Sequence, residues 1–264
     1  MHKYKLTIEY DGTNYSGWQT QANAKTIQGT LISAAEKLLG AKAEIQGSGR
    51  TDAGVHALAQ VAHLETAKKV QPRKLMEGLN DLLPANINII RAEEVPLSFH
   101  ARHDAVMRSY IYIISKKRTA FGKKYVWWIK DSLDIEKMKE VMELFCGFHN
   151  FASFADKRRD KGVSTMVDIT SLELYSFEDL LIIRITGSHF LWKMVRRMAG
   201  IVVEAGRGNL NYADVKKMLV QSSEIPAKFT APPSGLFLEQ VLYKGEALRP
   251  VKMTLPHYLK KGGL

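Results

Sequence analysis

Apolar and polar residues alternate from the start of the chain. Tyr4, Leu6, Ile8 and Tyr10 share one face of residues 3–10, the period of a half-buried strand. A turn follows at 11–14 (D-G-T-N), then Trp18 and Gln19, an aromatic–amide pair suited either to plugging the core or to stacking on a base. Ile27, Leu31, Ala34, Ala35, Leu38 and Leu39 change the period to that of a helix, with Thr26 as its N-cap and Gly40 as its stop. Strands over 43–46 and 57–65 come next. A helix with Pro72 in its first turn then carries Leu75, Leu79, Leu82 and Leu83 as far as Pro84, and 87–95 is a strand. Strand, helix, strand, strand, helix, strand is the split β-α-β order of ferredoxin-like and RNA-recognition folds.

The second half repeats that theme with additions. The pattern predicts strands over 108–115 and 125–130 joined by a basic hairpin that carries Lys116, Lys117, Arg118, Lys123 and Lys124. Met138, Val141, Met142 and Phe145 mark an amphipathic helix facing a core. A loop begins at 149–154 and continues through D-K-R-R-D-K-G. After it come a hairpin of 165–175 with 180–186, helices over 190–203 and 212–220, a linker at 231–233 and a last strand over 236–243. The expected class is α+β, in two subdomains, 1–105 and 106–264.

Composition adds one functional hint. The 264 residues carry a formal charge of +11, which favours a polyanionic partner, RNA or DNA first. No apolar run is long enough to span a bilayer, the N-terminal residues lack the apolar stretch of a signal peptide, and Cys146 is the only cysteine. A cytoplasmic protein without disulfides or membrane contact is expected.

The candidate chemistry centres on residues 47–57, G-S-G-R-T-D-A-G-V-H-A. Gly47, Gly49 and Gly54 make the backbone permissive, and Arg50 and Asp52 lie two positions apart, on the same side of an extended segment. Neither phosphate-loop spacing fits. Gly54 comes too late for a dinucleotide fingerprint, and Val55 and His56 follow it where a Walker loop needs Lys and Ser or Thr. From these residues alone, a loop presenting an acid competes with a glycine-rich turn carrying a surface Arg–Asp pair. The scattered histidines, with no H-E-x-x-H and one cysteine, argue against a metal; His100 and His103 lack a carboxylate at matching spacing. The absence of clustered carboxylates near Asp52 argues against a metal-dependent nuclease.

Residues 47–57 closely resemble the catalytic segment of the TruA family of tRNA pseudouridine synthases, and the resemblance covers nearly the whole chain. Y-D-G-T-N-Y-S-G-W-Q at 10–19, F-H-A-R at 99–102, R-S-Y-I-Y at 108–112, F-L-W-K-M-V-R at 190–196 and A-P-P-S-G-L-F-L at 231–238 resemble further motifs of that family, in its order.

That resemblance implies a pseudouridine synthase fold, two ferredoxin-like subdomains sharing a mainly antiparallel sheet with a central catalytic cleft. It implies an isomerase that turns uridine into pseudouridine at positions 38, 39 and 40 of the tRNA anticodon stem-loop. The N-glycosidic bond breaks, the base rotates, and C5 rejoins the sugar, with no cofactor and no metal. Asp52 matches the catalytic aspartate, acting by attack on C1′ or by proton removal at C2′. An aspartate that must stay ionised in partly dry surroundings wants a cation beside it. Proximity in sequence favours Arg50, whereas the resemblance makes Arg196 the ion-pair partner and leaves Arg50 to contact RNA or extrude the base. Tyr110 matches the tyrosine that stacks on the uracil, and Arg108 and Leu236 complete the substrate-binding set. A homodimer is implied, with Lys116, Lys117, Arg118, Lys123, Lys124, Arg158 and Arg159 as RNA-backbone contacts. The competing reading is a non-catalytic tRNA-binding module of the same fold.

Overall fold

The computed structural model describes residues 1–158, 162 and 164–250. The chain divides into two compact units, Met1–Val106 with Phe237–Ala247, and Met107–Leu236 with 248–250. Strands in both are mostly antiparallel and helices accompany them, so the class is α+β.

In the first unit β1 (His2–Tyr10) lies between β3 (His56–Thr66) and β4 (Ile87–Val95), antiparallel to both. The face predicted from alternation is the buried one: Tyr4, Leu6 and Ile8 are fully inaccessible. β2 (Ala43–Gly47) pairs antiparallel with β3 from Ala43↔Thr66 to Gly47↔Ala62. The order β4–β1–β3–β2 is that of a ferredoxin-like sheet. β10 (Leu236–Tyr243) joins β3 in parallel at Phe237↔His56 and Leu238↔Ala57. Because β1 holds one edge of β3, β2 and β10 divide the other, and the chain bows out between their stretches. That bow is the Gly47–Ala57 segment.

Helix α1 (Ile27–Leu39) starts and stops on the residues expected. Thr26 Oγ1 accepts the N–H of Gly29 (3.2 Å), and Gly40 closes the helix at φ 61° with its N–H on Glu36 O. Helix α2 (Pro72–Leu82) buries Leu75 and Leu79.

His63 of β3 is 2% exposed and accepts the N–H of Ala101 on Nδ1 (3.1 Å). Burial, followed by the nearby His100 and Lys3, lowers its pKa to about 4. In the unfolded chain the same ring titrates near 6.5, so the unfolded state binds the extra proton between these values. Stability is therefore expected to be full above pH 6.5 and to fall on acidification towards pH 4, with uptake of about one proton on unfolding. Urea midpoints across that range test this; His63→Gln is expected to flatten the slope, and an unchanged slope would refute it.

In the second unit the sheet order is β5 (Ala105–Ser115, here from Met107), β9 (Leu180–Gly187), β8 (Met166–Ser176) and β7 (Gly147–Asn150), each pair antiparallel. Helices α3 (Ile135–Glu143), α4 (Met194–Gly206), α5 (Tyr212–Val220) and the single turn α6 (Ile225–Lys228) complete it.

Several expectations change here. The basic stretch after β5 is not a hairpin: β6 (Trp127–Trp128), shorter than the predicted 125–130, runs parallel to β5 at Ile114↔Trp127 and Ser115↔Trp128. Parallel neighbours need a longer return, and Gly122 at φ 72° with the 3-10 turn Lys123–Tyr125 supplies it. The predicted loop at 149–154 begins inside β7, whose largely exposed residues, Phe148 among them, pair at a sheet edge without the buried–exposed alternation that marks a strand. Helix α4 starts at Met194, not at 190. Lys193, at φ 62°, breaks the helical path before it. The 231–233 segment is no loose linker, since Ala231 is 1% exposed and bonded to α4 in both directions, as described below.

Candidate active site

The Gly47–Ala57 bow is held from beneath by residues 10–19. Trp18 N–H donates to Thr51 O (3.0 Å), Gly54 N–H to Tyr15 O (3.3 Å), and the Tyr10 hydroxyl meets Thr51 Oγ1 at 2.8 Å in a buried contact. The backbones touch so closely that glycine is required. A Cβ on Gly12 would lie 2.0 Å from Val55 O, and one on Gly17, itself at φ +93°, would lie 2.6 Å from Thr51 O. Trp18, 1% exposed, is the core plug rather than a base-stacking group, and its ring fills the space where Gly47 would carry a side chain.

The start of the bow is fixed by Gln60, fully buried on β3. Its Oε1 accepts Ser48 Oγ (2.8 Å) and its Nε2 donates to Gly49 O (3.0 Å). At the far end, Gly12 N–H donates to His56 Nδ1 (3.1 Å), and the His56 ring stacks on Phe237 with centroids 4.6 Å apart. Val55 N–H on Asp52 O (3.1 Å) tightens the turn itself. The outcome is a half-buried Asp52 and an exposed Arg50 on a rigid support. Gln60, Thr51 and Tyr10 were not singled out from sequence. Each looks like an ordinary strand or loop residue until the bow is folded.

The second unit gathers the other motifs. Tyr110 on β5 is 8% exposed and meets the Phe190 ring edge-on at 5.1 Å and 78°. Arg108 Nη1 donates to Ser188 O (2.9 Å), tying β5 to the segment that leads into α4. Arg196 on α4 donates through Nε to Ala231 O (2.8 Å), and Ala231 N–H donates back to Arg196 O (3.1 Å). The Tyr112 hydroxyl donates a hydrogen bond to Pro232 O (2.8 Å); burial raises its pKa well above the ordinary value, against a smaller lowering by the Arg196 charge. Gly235 lies against the Tyr112 ring, where a Cβ would come within 2.9 Å of it, and Leu236, 5% exposed, follows. Residues 108–112, 190–196 and 231–236, far apart in sequence, thus form one cluster.

Lys116, Lys117, Arg118, Lys123 and Lys124 are all exposed. Arg118 lies 5.7 Å over Trp128 and Lys124 lies 4.9 Å over Tyr125. Arg158 is held by Asp156, a buried carboxylate that in sequence is one charge among many in the 156–162 run. Arg159 lies outside the described residues. Among the described residues no group of three or more His, Cys, Asp or Glu side chains is placed to hold a metal ion, and no helix is long and apolar enough to cross a membrane.

A family model described as tRNA pseudouridine synthase matches residues 6–104 and 141–244. The tRNA pseudouridine synthase A of Geobacter sp. (strain M21) is 41% identical over 246 residues, 92% of this chain and 99% of that protein. The protein of the same name from Caldicellulosiruptor bescii is 39% identical over 92% of this chain and 100% of its own length. That from Geotalea uraniireducens is 41% identical over the same shares.

Proposed function

The chain belongs to the tRNA pseudouridine synthase family, and from that premise we propose that it isomerises uridine to pseudouridine at positions 38, 39 and 40 of the tRNA anticodon stem-loop. The observation that carries this reading is the Asp52 bow. A carboxylate held on a backbone-to-backbone support is what cleavage of a glycosidic bond without a cofactor requires, because its position need not be found anew in each turnover.

Asp52 is the catalytic group in this reading. Tyr110 stacks on the uracil, Arg196 is the cation paired with the carboxylate, and Arg50 contacts the RNA and helps extrude the base; Arg108 and Leu236 bind substrate. A uridine in the stem must leave its stack, which costs on the order of a few kcal/mol, and these contacts offset that cost. Lys116, Lys117, Arg118, Lys123, Lys124 and Arg158 serve the phosphate backbone, supported by their exposure and by the +11 charge of the chain. The enzyme is read as a cytoplasmic homodimer.

Tritium release from C5-labelled uridine tests the positions. Transcripts whose only anticodon-arm uridine stands at 38, 39 or 40 are each expected to release label on incubation with the protein. Release from an arm with uridine elsewhere, and none from these three, would overturn the assignment of position.

A further inference from the structure

We infer that the indole of Trp192 is a stacking platform for an unpaired nucleobase of the RNA substrate. The inference rests on the tRNA-modifying reading and adds a residue to it.

Trp192 sits just before α4 and keeps 41% of its surface exposed, while Leu191, Met194 and Val195 around it are buried. An indole left in water at the lead-in to a buried helix gives up apolar burial that the fold could otherwise have used. Its orientation is also imposed. Lys193, the next residue, is at φ 62°, the sole non-glycine residue with positive φ among those described, and an L side chain is strained there. Asp156 holds that geometry. It is 6% exposed, it accepts Lys193 Nζ at 2.8 Å, and its own N–H donates to Trp192 O at 2.9 Å. Strained backbone over-determined by an ion pair to a buried carboxylate marks a position where the direction of a side chain matters.

The surroundings of the ring specify the ligand. Asp156 also takes Arg158 Nε (3.1 Å) and Nη2 (3.2 Å), which places the guanidinium 4.7 Å from the indole centroid; Lys193 Nζ lies 5.6 Å from it. Hydrogen bonds from Arg158, and after them from Lys193, hold the Asp156 carboxyl well below the usual carboxylate range, so the brace stays ionised at neutral pH. An aromatic plane with two cations beside it offers a π-face to a base and positive charge to the phosphate attached to that base. Such a platform takes any base, because every base has a π-face. Phe190, two residues before Trp192, meets Tyr110 edge-on, so one short segment serves both the platform and the tyrosine assigned to the uracil. We therefore place on Trp192 a base other than the reacting uracil.

The test compares Trp192→Ala, Trp192→Leu and Trp192→Phe with wild type. Readouts are the Kd for tRNA by filter binding, KM and kcat by tritium release, and thermal melting. Stacking predicts that Ala and Leu each weaken Kd and raise KM by about 10- to 100-fold, with kcat at saturating tRNA within about threefold, and that Phe restores most of the affinity. If Leu binds tRNA as well as Phe does, the ring only fills space and the inference fails. It also fails if Ala binds like wild type. Failure of the isomerase reading is separate: wild type would then release no tritium while the order of Kd values stayed readable. Melting curves that coincide across the variants exclude loss of fold as the cause of weaker binding.

Discussion

Asp52→Asn is expected to lower turnover by about four orders of magnitude or more while leaving tRNA affinity within a few-fold of wild type. The substitution keeps the volume of the side chain and removes its charge, and with it both the attack on C1′ and the proton removal at C2′. The bow keeps the anchors it has through Thr51, Gly54, Ser48 and Gly49, and Asn at 52 retains the backbone carbonyl that accepts the Val55 N–H. Tritium release in single-turnover conditions, set beside filter binding of the same transcript, checks both halves of the expectation. Release at a tenth of the wild-type rate or more would leave Asp52 outside the chemistry. Release by neither protein, with tight binding by both, would favour the non-catalytic tRNA-binding module.

Gly200→Ala should be the most damaging of the small substitutions in the second unit. A Cβ there would stand 1.6 Å from Phe229 O and 2.8 Å from the carbonyl carbon behind it. The obstacle is backbone, so no rotamer change relieves it. Helix α4 would have to lift away from residues 229–231, and the reciprocal bonds between Arg196 and Ala231 would lengthen with it. Overpacking of this kind costs about 3 kcal/mol or more, which for a protein of this size lowers Tm by roughly 10 °C. Activity should fall further than stability, because Arg196 moves with the helix that carries it. A melting temperature within about 2 °C of wild type would mean that the 229–231 segment yields freely.

How much of this was legible in the sequence depends on how local each signal is. The ends of α1 were readable because Thr26 and Gly40 act on backbone groups within four residues of themselves. Tyr4, Leu6 and Ile8 declared their face because the period of a strand is two. The path of 116–126 was not readable, since a parallel return is decided by what lies along the edge of β5, not by the lysines that make it. Lys193 was hidden for another reason. The apolar spacing of 190–198 suits a helix, and only Asp156, nearly forty positions earlier, pulls the backbone out of it. The Asp52 segment stood out through its glycines. Which glycines mattered followed only from the fold, Gly12 and Gly17 from the closeness of two backbones and Gly47 from the Trp18 ring packed against it. Composition gave the class of partner and nothing about the place where it is held.

The first unit is also discontinuous in sequence: its strand β10 follows some 130 residues that build the second. Chains leave the ribosome from the N-terminus at roughly 5–20 residues per second. The loop bearing Asp52 is therefore made early, yet it waits on the order of ten seconds for Phe237, the ring that stacks on His56 at its end. Until then the edge of β3 at His56 and Ala57 is an open strand, of the kind that recruits the wrong neighbour. A nascent chain stalled before residue 237 should accordingly be the species most in need of a chaperone.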